Sequence, residues 1–169
     1  NLVSYTTTGP PGGHGNAGLF GNIAVVGISP ASVGLYGVGC TSSASTPFVL
    51  GAIGTPQIGS TSFQIAMAGG QANALCFIYL AVGQSNPPVP FGPCNVYLDL
   101  TTLFAIITSG ISPLGPFPLD GSGNLTFGLP IPNQSSLIGQ YIDTQAAAQD
   151  ALSPIGVVLS NGMRLNFGP

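Results

Sequence analysis

Few residues in this sequence carry side chains able to do chemistry. There is one histidine, His14, four carboxylates at Asp99, Asp120, Asp143 and Asp150, one cation at Arg164, and three cysteines, Cys40, Cys76 and Cys94; Glu and Lys are absent. Acid–base catalysis needs titratable groups held within hydrogen-bond reach of one another. His14 lies in Gly9-Pro10-Pro11-Gly12-Gly13-His14-Gly15, a setting without the packing that orients a base, and reads as a solvated linker residue. No Gly-x-Ser-x-Gly elbow occurs to present a nucleophile. The same glycine-rich segment lacks the lysine and the strand-to-helix context of a phosphate-cradling loop. Asp120-Gly121-Ser122-Gly123-Asn124 places oxygen ligands at alternate positions, as a calcium loop does, but lacks the terminal acidic ligand. Its Asp, Gly and Asn content is that of a tight turn. No two His or Cys residues have metal-ligand spacing. The expectation is a protein that is not an enzyme and holds no metal or cofactor.

Modification and cross-linking are the chemistries left. Asn124-Leu125-Thr126 and Asn133-Gln134-Ser135 are glycosylation sequons beside turn signals. Thr6-Thr7-Thr8 ahead of Gly9-Pro10-Pro11 is an O-glycan candidate that equally reads as plain linker. The three cysteines are compatible with one disulfide and one odd thiol in an oxidising compartment, or with three buried thiols acting as small hydrophobes.

Charge bounds the partners. Charged residues are 3% of the 169, with a net charge of −3, where soluble domains carry roughly a quarter. One arginine cannot form the basic stripe that neutralises phosphates, so nucleic acid is excluded. The longest strongly apolar run, residues 74–82, is too short for a spanning helix, which needs about 18 residues. At 44% hydrophobic and a mean hydropathy of +0.50 the chain is the opposite of a disordered one, and its length fits one core. Near-zero surface charge promotes association. Such a surface is covered either by neighbouring copies or by neutral glycans, and both place the protein outside the cell. The uncharged, Thr/Gly/Pro-rich start at Asn1 is expected to be a mature, processed end.

The elements that position these residues are strands. With 26 Gly and 16 Pro, breakers recur too often for long helices, and the runs between them are short, apolar and frequently alternating. Strands are expected at residues 22–28, at 62–67 with Phe63, Ile65 and Met67 on one face, at 74–82 as a fully buried central strand, at 95–100, at 124–131 and at 137–144. Residues 145–152, rich in alanine, have the propensity for a single helical turn. Asn161-Gly162 between two alternating runs predicts a type I′ hairpin over residues 157–167, with Met163, Leu165 and Phe167 facing the core and Arg164 and Asn166 facing out. Residues 1–30 form an N-terminal extension in which an apolar strand is tethered by a Gly/Pro linker, and such a strand needs a sheet edge.

From Tyr36 onward the chain resembles a family of secreted β-sandwich domains at the C-termini of exported proteins of environmental bacteria. The resemblance is carried by Tyr36-Gly37-Val38-Gly39-Cys40, Gly54-Thr55-Pro56, Gly92-Pro93-Cys94 before Val96-Tyr97-Leu98, Asp120-Gly121-Ser122-Gly123-Asn124, Leu129-Pro130-Ile131-Pro132-Asn133, Leu137-Ile138-Gly139 and Leu159-Ser160-Asn161-Gly162-Met163. It implies a non-enzymatic, exported domain in which Cys40 pairs with Cys94; Cys76 departs from the family pattern, and pairing of Cys76 with Cys94 is the alternative. A looser similarity in layout is to extracellular fibre subunits that polymerise by strand donation, where an N-terminal strand completes the sheet of the next copy.

These readings combine into one expectation. The chain is an all-β, antiparallel β-sandwich of jelly-roll or immunoglobulin-like type over residues 31–169, with a donor strand in 1–30 centred on Asn22, Ile23, Val25, Val26 and Ile28. It serves as a secreted, self-assembling subunit of an extracellular filament, its partners being other copies of itself and, through the sequons, glycans, with no nucleic acid and no membrane span. The rival is an exported carbohydrate-binding or adhesion module using aromatics such as Tyr5, Phe20, Tyr36 or Tyr141, against which the absence of Trp counts.

Overall fold

The computed structural model describes residues 30–169, so the expected strand at Asn22, Ile23, Val25, Val26 and Ile28, and with it Tyr5, Thr6 to Thr8, His14 and Phe20, lies outside the described residues. The described chain is an all-β antiparallel sandwich. In order it forms β1 (Ser32–Tyr36), β2 (Val49–Ile53), β3 (Gln64–Ala68), β4 (Leu75–Ala81), β5 (Gln84–Phe91), β6 (Cys94–Leu98), a helix α1 (Leu100–Thr108), β7 (Leu114–Pro118), β8 (Leu125–Gly128), a 3-10 turn (Ser135–Leu137), β9 (Tyr141–Gln149) and β10 (Val157–Asn166). Five strands in the order β1-β10-β9-β4-β7 make the larger sheet, β2-β3-β8 the smaller, and β5-β6 a separate hairpin.

Period-two alternation explains which residues meet. Phe63, Ile65 and Met67, expected on one face, are all buried, and with Phe48 and Leu50 they pack against Ile78, Ala146, Ala148, Val158, Met163 and Leu165 of the larger sheet. Phe117 on β7 stacks on Phe127 on β8 with ring centroids 4.6 Å apart, tying the far edges of the two sheets together. The back of the larger sheet is covered only in part by α1 and the β5-β6 hairpin, so the strand expected over 74–82 as fully buried is not: Cys76, Ile78 and Ala81 of β4 are buried, whereas Leu75 and Val82 are exposed and Phe77 and Tyr79 half-buried. Cys40 and Cys94 form a disulfide across a Cα–Cα distance of 5.4 Å, and Cys76 is a buried free thiol.

Four more local expectations are corrected. The hairpin at Asn161-Gly162 does not form: β10 runs as one strand from Val157 to Asn166, pairing with β9 on both sides of the Ser160-Asn161 step. A type I′ turn needs positive φ at both central residues, and neither Asn161 nor Gly162 has it. The pair instead occupies a bulge, where the register with β9 shifts between Leu159 and Gly162, although Met163 and Leu165 do face the core as expected. The helical turn over 145–152 is also absent, because β9 continues to Gln149 between β4 and β10; burial of Ala146 and Ala148 overrides the weak helical preference of alanine. The strand expected at 137–144 begins only at Tyr141, after the 3-10 turn. Finally, the run expected as strand to residue 100 stops at Leu98, because Asp99 caps α1 by accepting a hydrogen bond from Thr102 N at 2.8 Å.

Candidate assembly groove at the open sheet edges

A sheet edge exposes unpaired backbone groups, and proteins that remain monomeric blunt such edges with charge, proline or short strands. The edges here are treated unequally. β7 carries Pro116 and Pro118, and β5 carries Pro87, Pro88 and Pro90, so neither can continue a ladder. β1 and β2 are the end strands of their sheets on the other side, and within Ser32–Tyr36 and Val49–Ile53 there is no proline and no charge; the end strands β8 and β6 also lack both, but β8 has only four residues and the backbone of β6 is engaged by Gln145. No described strand lies beyond β1 or β2.

Between these two edges runs an apolar groove of about 520 Å³, whose lining includes Leu35, Val38, Val49, Gly51 and Ala66. Leu35 is 62% exposed and Val38 73%, so the walls are hydrophobic and open to solvent. The Val38 loop is held in place. Tyr97 on β6 brackets it, accepting from Val38 N and donating to Val38 O, both at 3.0 Å. Gly37, at φ +69°, lies flat on the Tyr97 ring, where any Cβ would overlap it, and Cys40 fixes the loop's far end to Cys94. An exposed valine thus sits on a rigid support.

The inner end of the groove is closed by the β10 bulge. Asn161, 7% exposed, accepts from Leu50 N at 2.9 Å and donates from Nδ2 to Leu50 O at 3.0 Å. Its amide replaces a peptide rung on the free edge of β2. Ser160 supports the bulge, its Oγ accepting from Ala146 N at 2.9 Å and donating to Asn161 O at 2.7 Å. In the same layer Gln145 reaches β6, accepting from Tyr97 N at 3.0 Å and donating to Asn95 O at 2.9 Å and Ser160 O at 2.8 Å. Two side-chain amides therefore join three sheets, and every one of these buried polar atoms is satisfied.

The charges are engaged inside the chain. Asp143, fully buried, takes the Arg164 guanidinium in a fork, Nε to Oδ1 at 3.0 Å and the terminal nitrogen to Oδ2 at 2.8 Å, and also accepts from Gly83 N at 3.0 Å. Hydrogen bonding to Asp143 raises the Arg164 pKa above its ordinary value. Burial, with the nearby Asp143 carboxylate, holds the Tyr36 phenol above the usual tyrosine range. Burial alone would raise Asp150, but bonds from the backbone of Ser43, Leu152 and Ser153 outweigh it and the carboxyl is lowered. Asp120 folds its own turn, accepting from Ser122 N and Asn124 N at 2.8 and 2.9 Å, and no cluster of ligands able to hold a metal ion occurs among the described residues.

Of the sequence candidates, the structure brings Cys40 and Cys94 together at the groove's support. Asn124 lies half-buried in the Asp120 turn, and Asn133 is exposed after β8. Tyr36 and Tyr141 do not form a platform: Tyr36 stands edge-on to Tyr97, and the Arg164 guanidinium covers Tyr141 at 4.2 Å. Of the groove residues, Leu35 and Val49 belong to no motif, while Val38 lies in the Tyr36–Cys40 motif and Asn161 in the expected hairpin turn, neither of which pointed to a groove; proline-free edges were the available signal.

The chain matches no family model, no curated protein and no solved structure. Among the described residues no helix is long and apolar enough to cross a membrane.

Proposed function

We propose that this protein is the structural subunit of an extracellular filament, in which residues 22–28 of one copy add as a strand to the free edge of β1 in the next and lay their apolar side chains into the groove. The reading rests on one observation: the two sheet edges that border the apolar groove, unlike β5 and β7, carry neither proline nor charge. The disulfide accords with an oxidising, extracellular setting, and buried neutral surface accords with the low charge.

The layout suits head-to-tail addition. Ala31 enters β1 against Gly168, where a Cβ would overlap the backbone of Pro30 and Ala31, and the groove opens at the opposite end of β1. That strand is about 16 Å long at roughly 3.3 Å per residue, and seven residues extend about 23 Å. The described chain enters β1 at the end away from the groove, and a heterologous contact between two such different ends propagates without closing.

Negative-stain microscopy of the full chain is expected to show fibres, and a monodisperse monomer at high concentration would refute the reading. Val25→Asp spoils the donor and keeps the groove; Leu35→Asp spoils the groove and keeps the donor. Each alone should be monomeric and their mixture should give a one-to-one heterodimer. Two monomers that ignore each other would place residues 22–28 on their own chain's edge.

A further inference from the structure

We propose that the cavity between α1, the β5-β6 hairpin and the back of the larger sheet binds a neutral apolar small molecule, of the hydrocarbon-chain class. This site is distinct from the assembly groove and its existence does not depend on strand donation. The cavity holds about 480 Å³, within the range of small-molecule sites. Its floor is Ala147, which lies in register between Leu159 on β10 and Phe77 on β4. A methyl group therefore stands where its neighbours Tyr79, Val96, Leu103 and Leu159 are large. Phe91 and Phe104, 48% and 59% exposed, flank the mouth.

The walls are fastened from outside the cavity, so the space is held open. The hairpin is anchored by the Cys40–Cys94 bridge and by the Tyr97 hydroxyl on Val38. The helix is anchored by its Asp99 cap and by Thr102 Oγ1, which donates to Val82 O at 3.0 Å and accepts from Val82 N at 3.1 Å. The lining contains no charged residue. Its one amide, Gln145, already spends its carbonyl on Tyr97 N and its NH₂ on Asn95 O and Ser160 O. A ligand entering here loses water and, the Tyr79 hydroxyl apart, meets no unengaged polar side chain, a penalty that disfavours ions and sugars and favours apolar molecules.

The test is fluorescence titration of the full chain with N-phenyl-1-naphthylamine, a neutral apolar probe, followed by competition with dodecan-1-ol. Saturable one-to-one enhancement, reversed by dodecan-1-ol, is expected. Ala147→Phe, which fills the floor, should weaken binding by at least about tenfold, whereas Val49→Asp in the assembly groove should leave it unchanged. Ala147→Leu serves if the larger ring prevents folding, judged by far-ultraviolet circular dichroism and thiol count. Absence of saturation, undiminished binding to a folded Ala147 variant, or loss of binding in Val49→Asp would each overturn the assignment; the last would move the probe to the groove. None of these results bears on whether fibres form.

Discussion

Asn161→Asp tests the amide rung with a change of one atom. The native Nδ2 donates to Leu50 O at 3.0 Å and to Gly162 O at 3.1 Å, while Oδ1 accepts from Leu50 N. An ionised aspartate keeps the acceptor and turns its second oxygen on two carbonyl oxygens in a nearly buried site. Two hydrogen bonds at about 1 kcal/mol each are lost, and a buried, poorly compensated charge adds about 2 kcal/mol more, for a total near 4 kcal/mol at neutral pH. Protonation removes the charge and restores one donor, leaving a cost of about 1 kcal/mol. The difference of about 3 kcal/mol corresponds to a folded-state pKa raised by about 2 units, from roughly 4 to roughly 6. A raised pKa means that stability is retained below about pH 4 and lost as pH rises through about 6. Urea unfolding followed by far-ultraviolet circular dichroism, with parent and variant compared at pH 4 and pH 7.5, measures this directly. Comparison at each pH cancels the acid sensitivity of the native carboxylates. A penalty below about 1 kcal/mol at pH 7.5, or one that does not change with pH, would refute the rung.

Further outcomes follow from other contacts. In denaturant without reductant, a thiol assay should find one reactive cysteine; in the native protein it should find none, because burial pushes the Cys76 thiol up to about 11. Reduction of Cys40–Cys94 should cost about 4 kcal/mol in the chain-entropy treatment for a separation of 54 residues, read as a fall in the urea midpoint; three reactive thiols in denaturant without reductant would contradict the bridge. Gly162→Ala places a Cβ in the Tyr36 ring and should destabilise the fold by about 1–3 kcal/mol, seen as a lower melting temperature. Because the Asp150 carboxyl is lowered in the folded state, its stabilisation is present above the unfolded value near 4 and lost as pH falls through the folded one. Acid titration of unfolding should show this component in the parent and not in Asp150→Asn.

The sequence was most legible where one period dominated and least where two weak signals competed. Phe63, Ile65 and Met67 alternate among polar or small neighbours, and that pattern alone places them on the core face. Asn161-Gly162 has turn composition and flanking apolar runs, the same local signal as a hairpin, yet the outcome was decided by Leu50, 111 residues away, whose unpaired edge needed an amide. Residues 145–149 were lost to helix propensity for a related reason: Ala146 and Ala148 are small where the smaller sheet packs on them, and Ala147 faces the cavity on the other side. The α1 helix was masked by the apolar run before it, although Asp99 three residues ahead of Thr102 was a readable cap. Edge quality, by contrast, was written in the sequence in part, as the prolines of β5 and β7.

The low charge acquires a more specific meaning from these contacts. Five charges in 169 residues first read as a surface without electrostatic defence. In the fold, each has an internal partner: Asp99 caps a helix, Asp120 and Asp150 tie turns, and Asp143 and Arg164 hold each other. No charge stands on β1 or β2, where a single lysine would suffice to discourage edge pairing. A protein kept apart from its copies would be expected to spend at least one charge there. Neutral glycans at Asn124 or Asn133 could shield other faces, but neither residue lies along Ser32–Tyr36 or Val49–Ile53. The distribution of charge therefore favours covering these edges with another strand over covering them with sugar, which the low charge total alone could not decide.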